Sequence, residues 1–167
     1  MKYLVYIVFI ASLVSCVETK YYNNGNLKWQ STEDANKKLY ENGQLEYEEN
    51  FNGEGKTDGL VRSWYENGQL ELEDNYKNGK VDGLSRKWYE NGQLAFEINY
   101  KNGKKDGLYR GWYEDGQLSI EKNYKNGKKD GFYREWDEDG QLFWEGNYKD
   151  GKRLSKKRWD EEGKPLN

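Results

Sequence analysis

The sequence predicts an all-β protein: an open, twisted antiparallel meander of repeated β-hairpins, about ten strands in a single layer. Three observations predict it. Two glycine turns, Asn/Asp-Gly-Gln and Lys-Asn/Asp-Gly-Lys, alternate at a nearly fixed step along most of the chain. The runs between them, such as "GLSRKWY" and "QLAFEINY", have the length of strands and are short for helices. Only 34% of residues are hydrophobic, yet aromatics reach 16%, with 15 Tyr and 7 Trp. Rings can drive burial where Leu, Ile and Val are scarce, which favours a thin structure over a thick two-layer core.

The chain opens with "MKYLVYIVFIASLVSC", where Lys2 precedes a mostly apolar stretch from Tyr3 to Val14. As a helix that stretch would rise about 18 Å, short of a hydrocarbon core of about 30 Å. It reads as a secretory signal over 1–15. Leu13, Val14, Ser15 and Cys16 resemble the lipobox of bacterial lipoproteins. That resemblance implies cleavage before Cys16 and acylation, with palmitate or similar chains, of its thiol and new amino terminus. An ordinary signal with an incidental Cys is the alternative. Residues 16–38 are expected to form a lipidated N-terminus, a linker and a degenerate copy, "YYNNGNLKW"; the repeat domain is expected over 39–167.

Within that domain the first turn falls at Asn42, Asn67, Asn91, Asp115 and Asp139, spaced 25, 24, 24 and 24. Lys77, Lys101, Lys125 and Lys149 mark the second turn at a step of 24. A frayed copy, "KRWDEEGKPL", closes the chain. The loop length sets the register. A three-residue Glu-Asn-Gly loop with Gly92 as its bulge residue pairs Tyr89 with Gln93 and Trp88 with Leu94. Leu84, Arg86, Trp88, Leu94, Phe96, Ile98 and Tyr100 then share one face, and Ser85, Lys87, Tyr89, Ala95, Glu97 and Asn99 the other. A two-residue loop would separate apolar from polar less well, because a one-residue slip reverses every side chain.

The segment "DGLYRGWYEDGQLSIEKNYKNGKKDG", Asp106 to Gly131, resembles the bacterial variant of the MORN repeat, and the likeness runs roughly from Leu39 to Gly163. It implies an open sheet of hairpins. Proteins of this kind are often grouped as YwqK-family antitoxins, and eukaryotic MORN repeats are associated with membranes, junctions and scaffolds. The ends depart from the pattern: a spacing of 18 separates Asn24 from Asn42, and "GKRLSKKRW" lacks the Asp-Gly pair.

Two surfaces are candidates for binding. Arg62, Arg86, Arg110 and Arg134 each stand two residues before Trp64, Trp88, Trp112 and Trp136, and with Trp144 they form an expected basic, aromatic face. Their stems could equally cover the sheet while the guanidinium groups stack on rings. Lys101, Lys104, Lys105, Lys125, Lys128 and Lys129 collect at one long edge, a candidate contact for an anionic membrane; charged turns also simply discourage stray pairing. The recurrent Glu73, Glu97, Glu121 and Glu145 are expected on the opposite, solvated face.

Other classes are disfavoured. There is no His and one Cys, and net charge is −3, so nucleic acid, metal, cofactor and nucleophile–histidine chemistry all lack residues or motif. The expectation is a non-enzymatic lipoprotein of the bacterial cell envelope, membrane-bound through Cys16. Its sheet would serve as a protein-binding scaffold or an antitoxin-like immunity module with a protein partner such as a toxin. A cell-wall glycan or membrane-phospholipid binder is the alternative.

Overall fold

The computed structural model describes residues 17–166. The expected signal segment 1–15 and Cys16 lie outside them. The described chain divides into two units between Lys80 and Val81. The first contains β1 (Glu18–Tyr21), β2 (Leu27–Ser31), β3 (Ala35–Leu39), β4 (Leu45–Asn50), β5 (Gly59–Trp64) and β6 (Leu70–Lys77). The second contains β7 (Lys80–Trp88), β8 (Leu94–Lys101), β9 (Lys104–Trp112), β10 (Leu118–Lys125), β11 (Lys128–Trp136), β12 (Leu142–Lys149), β13 (Lys152–Trp159) and β14 (Pro165–Leu166). In each unit strand order is chain order and neighbours are antiparallel, a single-layer meander of hairpins. No helix occurs among the described residues.

The fourteen strands among the described residues exceed the expected number chiefly because the stretch expected as a linker folds as sheet. β1 pairs with β2 and β2 with β3, Trp29 standing opposite Lys38. Strands of only five residues in β2 and β3, against eight and nine in later copies, account for the shortened spacing there.

The two turns differ in kind. At the first, the Gly92 amide donates to the Tyr89 carbonyl at 2.9 Å, the Tyr89 amide donates to the Gln93 carbonyl at 2.8 Å, and Gly92 has φ +86°. This is the expected three-residue loop, and its left-handed position suits glycine. The Gln93 amide also donates to Asn91 Oδ1 at 2.9 Å. At the second turn both central residues are left-handed, Asn102 at φ 51° and Gly103 at φ 77°, a two-residue turn that matches strand twist.

Side chains then stitch each copy to the next. The hydroxyls of Tyr40, Tyr89 and Tyr113 donate to the carbonyls of Trp64, Trp112 and Trp136 at 2.7, 2.7 and 2.8 Å. Asp58, Asp82 and Asp106 accept the amides of Asn78, Asn102 and Asn126 at 3.0, 2.9 and 3.0 Å. The recurring Trp-Tyr and Asp-Gly pairs are therefore structural joints, each satisfying a backbone group of a neighbouring copy.

The expected faces need correction. Trp88 does stand opposite Leu94, but Lys87 is opposite Phe96, Ser85 opposite Ile98 and Arg86 opposite Glu97. Ala95 is an extra residue, a β-bulge, and Glu71, Ser119 and Phe143 occupy the same place in β6, β10 and β12. One inserted residue reverses the parity of everything after it. Phe96, Ile98 and Tyr100 thus leave the Arg-Trp face, and Glu73, Glu97, Glu121 and Glu145 join it. Val61, Ser85, Ile98, Gly111 and Gly146, the buried residues among those described, all belong to the second face.

Candidate functional site

On the first face the arginines alternate with glutamates. Arg62 Nε lies 2.9 Å from Glu73 and its Nη1 3.4 Å from Glu48. In the second unit Arg86 reaches Glu97 at 3.7 Å, and Arg110 reaches Glu97 at 3.6 Å and Glu121 at 3.0 Å. Arg134 lies 2.9 Å from Glu145. The expected basic track is thus neutralised by carboxylates from the neighbouring strands. Trp64, Trp88, Trp112 and Trp136 are half-buried at the strand ends, opposite Leu70, Leu94, Leu118 and Leu142. Trp144 is not with them; it stands opposite Glu135 on the second face.

Such a row contributes modestly to folding. The Arg110 side chain is 41% exposed, so water screens its pairs. Arg110→Gln is expected to lower the unfolding free energy by about 1 kcal/mol or less, as read from urea titration.

The second face gathers rings and lysines in the second unit. Cross-strand pairing places Lys122 opposite Tyr109 on one side and Tyr133 on the other, and Tyr124 opposite Lys129. Lys122 Nζ lies 4.3 Å from the Tyr109 ring centroid and 5.6 Å from that of Tyr133. Lys129 Nζ lies 4.1 Å from Tyr133 and 5.0 Å from Tyr148, and Lys105 Nζ 5.5 Å from Tyr124. Ring quadrupoles hold ammonium groups at such distances. Burial, then the charges of Lys129 and Lys105, lowers the Lys122 pKa, while Glu135 opposes the shift. Among the described residues, none of these three lysines lies within ion-pair distance of a carboxylate.

Glycine makes room for the rings. Tyr133 stands opposite Gly146, and a Cβ at Gly146 would collide with the Trp144 indole. Trp144 meets Tyr133 edge-on with centroids 4.6 Å apart, and Phe96 stacks near Tyr109 at 5.9 Å. The Tyr133 hydroxyl donates to Glu135, which is the carboxylate that register places on this face of the second unit.

The sequence-predicted basic edge divides accordingly. Lys101 and Lys104 pair across one turn and Lys125 and Lys128 across the next, all exposed. Lys105 and Lys129 belong instead to the ring face. Lys122, Tyr109, Tyr124, Tyr133 and Tyr148 were not singled out from the sequence. The signal that could have found them is the constant separation of eleven residues between Arg62 and Glu73, Arg110 and Glu121, and Arg134 and Glu145, which after a three-residue loop only a bulge can bring opposite.

A depression beside Phe143 and Trp159 is lined by Asp137, Asp160, Glu161 and Glu162. Asp137 accepts the Gln141 amide and Asp160 the Lys164 amide, both at 2.8 Å, so these carboxylates serve the turns. No group of three His, Cys, Asp or Glu that could hold a metal ion occurs among the described residues.

No curated protein matches the chain. The family model for the MORN repeat variant matches residues 36–52, 57–78, 81–102 and 105–126. The last three matches include Asp58, Asp82 and Asp106, and the last two include Tyr89 and Tyr113, which make the joints described above. The chain is therefore a MORN-repeat protein, built on the variant form of that repeat.

Proposed function

We propose that this protein is a non-catalytic binding module, an envelope lipoprotein anchored through Cys16, whose sheet holds a protein partner in the manner of a scaffold or an immunity module. The observation that carries the reading is the asymmetry between the two faces of the second unit. One face neutralises itself with Arg–Glu pairs. The other presents half-buried Tyr109, Tyr124, Tyr133, Tyr148 and Trp144, rings of the kind enriched where proteins meet, with three ammonium groups that form no ion pair among the described residues. The hydroxyls of Tyr89 and Tyr113 in the Trp-Tyr pairs are occupied as joints, which argues against their lining a sugar-binding site.

The test is crosslinking in the native envelope with the full chain and two variants. Lys122→Met with Lys129→Met keeps the apolar stems and removes the charges; it is expected to abolish the crosslinked species. Arg110→Gln, on the opposite face, is expected to leave it intact. Equal crosslinking by all three proteins would defeat the assignment of the face.

A further inference from the structure

We propose that the first unit carries a docking surface for a second copy of this chain: its face of tyrosines and carboxylates, centred on Glu49 and Asp74, packs on the ring-and-lysine face of that copy's second unit. The inference rests on the protein-binding reading above and names the partner as the chain itself.

In the first unit Tyr47 and Leu72 stand opposite Ser63 from either side, and Asp74 stands opposite Val61. With Glu49 and Tyr76, two residues further along β4 and β6, they make up the second face of that unit. Carboxylates and rings share one patch there. The Tyr47 hydroxyl bonds to Glu49, and burial, then the charges of Asp74 and Glu49, raises the Tyr76 pKa. Asn36 Nδ2 donates to Glu49 at 2.9 Å. Lys38, the lysine opposite Tyr47, is taken by Glu46. Among the described residues neither Glu49 nor Asp74 lies within ion-pair distance of a cation, and Asp74 Oδ1 is buried and accepts no hydrogen bond. A carboxylate held this way gains from a cation brought to it.

The second unit offers that cation. Asp74 and Lys122 hold the same place in the repeat: each precedes Asn-Tyr-Lys, Asp74 opposite Val61 and Lys122 opposite Tyr109. One place thus carries an anion in the first unit and a cation in the second, each among rings. Charge then selects the pairing. First unit on first unit would set carboxylates against carboxylates, and second on second would set Lys105, Lys122 and Lys129 against their own kind; like charges brought together cost affinity. First on second gives carboxylates to ammonium groups that rings already shield from part of their water. Tyrosines from both sides would fill the contact, as they do at the centres of interfaces. A single-layer sheet would gain the second layer its apolar face otherwise lacks.

Sedimentation velocity of the full chain over a concentration series is the test. Expected is reversible association that weakens with salt. Glu49→Lys with Asp74→Lys, and separately Lys122→Glu with Lys129→Glu, are each expected to weaken it about tenfold or more. Mixed in equal amounts, the two reversal variants present lysines to carboxylates again and are expected to regain the parental affinity to within about threefold. Glu49→Gln with Asp74→Asn removes charge without adding bulk and is expected to weaken association as well. A parent that stays monomeric overturns the proposal, as does unchanged association in the isosteric variant or a mixture of folded reversal variants that does not associate. A monomeric parent whose envelope crosslink is nonetheless lost in Lys122→Met with Lys129→Met would refute the second copy and keep the ring face for another protein. An unchanged crosslink would refute the face itself.

Discussion

Ile98→Ala is expected to remove about 3 kcal/mol from the unfolding free energy, against a total of about 5–15 kcal/mol for a typical domain. A sheet of one layer has little interior, and Ile98 is the largest side chain that it buries fully, at 1% exposure. It stands opposite Ser85 on one side and Tyr109 on the other, with Phe96 and Tyr100 flanking it on the same strand face. Truncation forfeits the transfer of three carbons and leaves a gap that neighbours on a hydrogen-bonded sheet close only in part. Ile98→Val keeps most of the shape and should cost about 1 kcal/mol. Leu154→Ala, at an exposed position, should stay within about 0.5 kcal/mol of the parent. Urea midpoints for the three variants give the ordering. A result in which Leu154→Ala costs as much as Ile98→Ala would mean that the second face is not where the core lies.

That face is also where reading the sequence stopped short. Turns are local, so Gly92, Asn102 and Gly103 announce themselves through left-handed backbone conformations that Gly and Asn tolerate best, and strand lengths follow from turn spacing. The bulge is different. Its position is held by Glu71, Ala95, Ser119 and Phe143, which share neither size nor polarity, so no residue type marks it. Simple alternation of apolar and polar residues then gave the same faces in every copy, consistently and with the wrong parity beyond the bulge. What decides the parity is a balance of pairings. Bulging puts Arg86 against Glu97 and Ile98 against Tyr109, whereas even alternation would have set charge among rings. The ring-and-lysine cluster was illegible for the same reason: Lys122 and Tyr133 belong to different copies, and only register brings them together. The lipidation proposed at Cys16 depends on none of this, since it rests on a resemblance to a linear motif.

Raising the pH above 10 is expected to unfold the sheet in a concerted step. Burial raises the pKa of Tyr40, Tyr47, Tyr76, Tyr109, Tyr113, Tyr124 and Tyr133 above the ordinary 10.0. The shifts are largest for Tyr47 and Tyr133, where hydrogen bonds to Glu49 and Glu135 add to burial. The folded chain therefore keeps phenol protons that the unfolded chain releases near pH 10. Between those two limits the folded state binds more protons, so stability falls as pH rises. The contribution is complete below pH 10 and is lost above it. Lys38, raised by its hydrogen bond to Glu46, acts in the same direction. Lys122 acts in the other, because its lowered pKa lets the folded chain shed a proton first. Seven phenols outweigh one ammonium. Phenolate absorbance at about 295 nm, followed beside far-ultraviolet dichroism, should lag behind that of free tyrosine and then rise together with loss of the sheet signal. Tyr133→Phe removes one of the two most shifted phenols and should move the transition to higher pH. Tyrosines that all ionise near pH 10 while the dichroism stays unchanged would show that these rings are not buried against one another in solution, and the ring face would lose its physical basis.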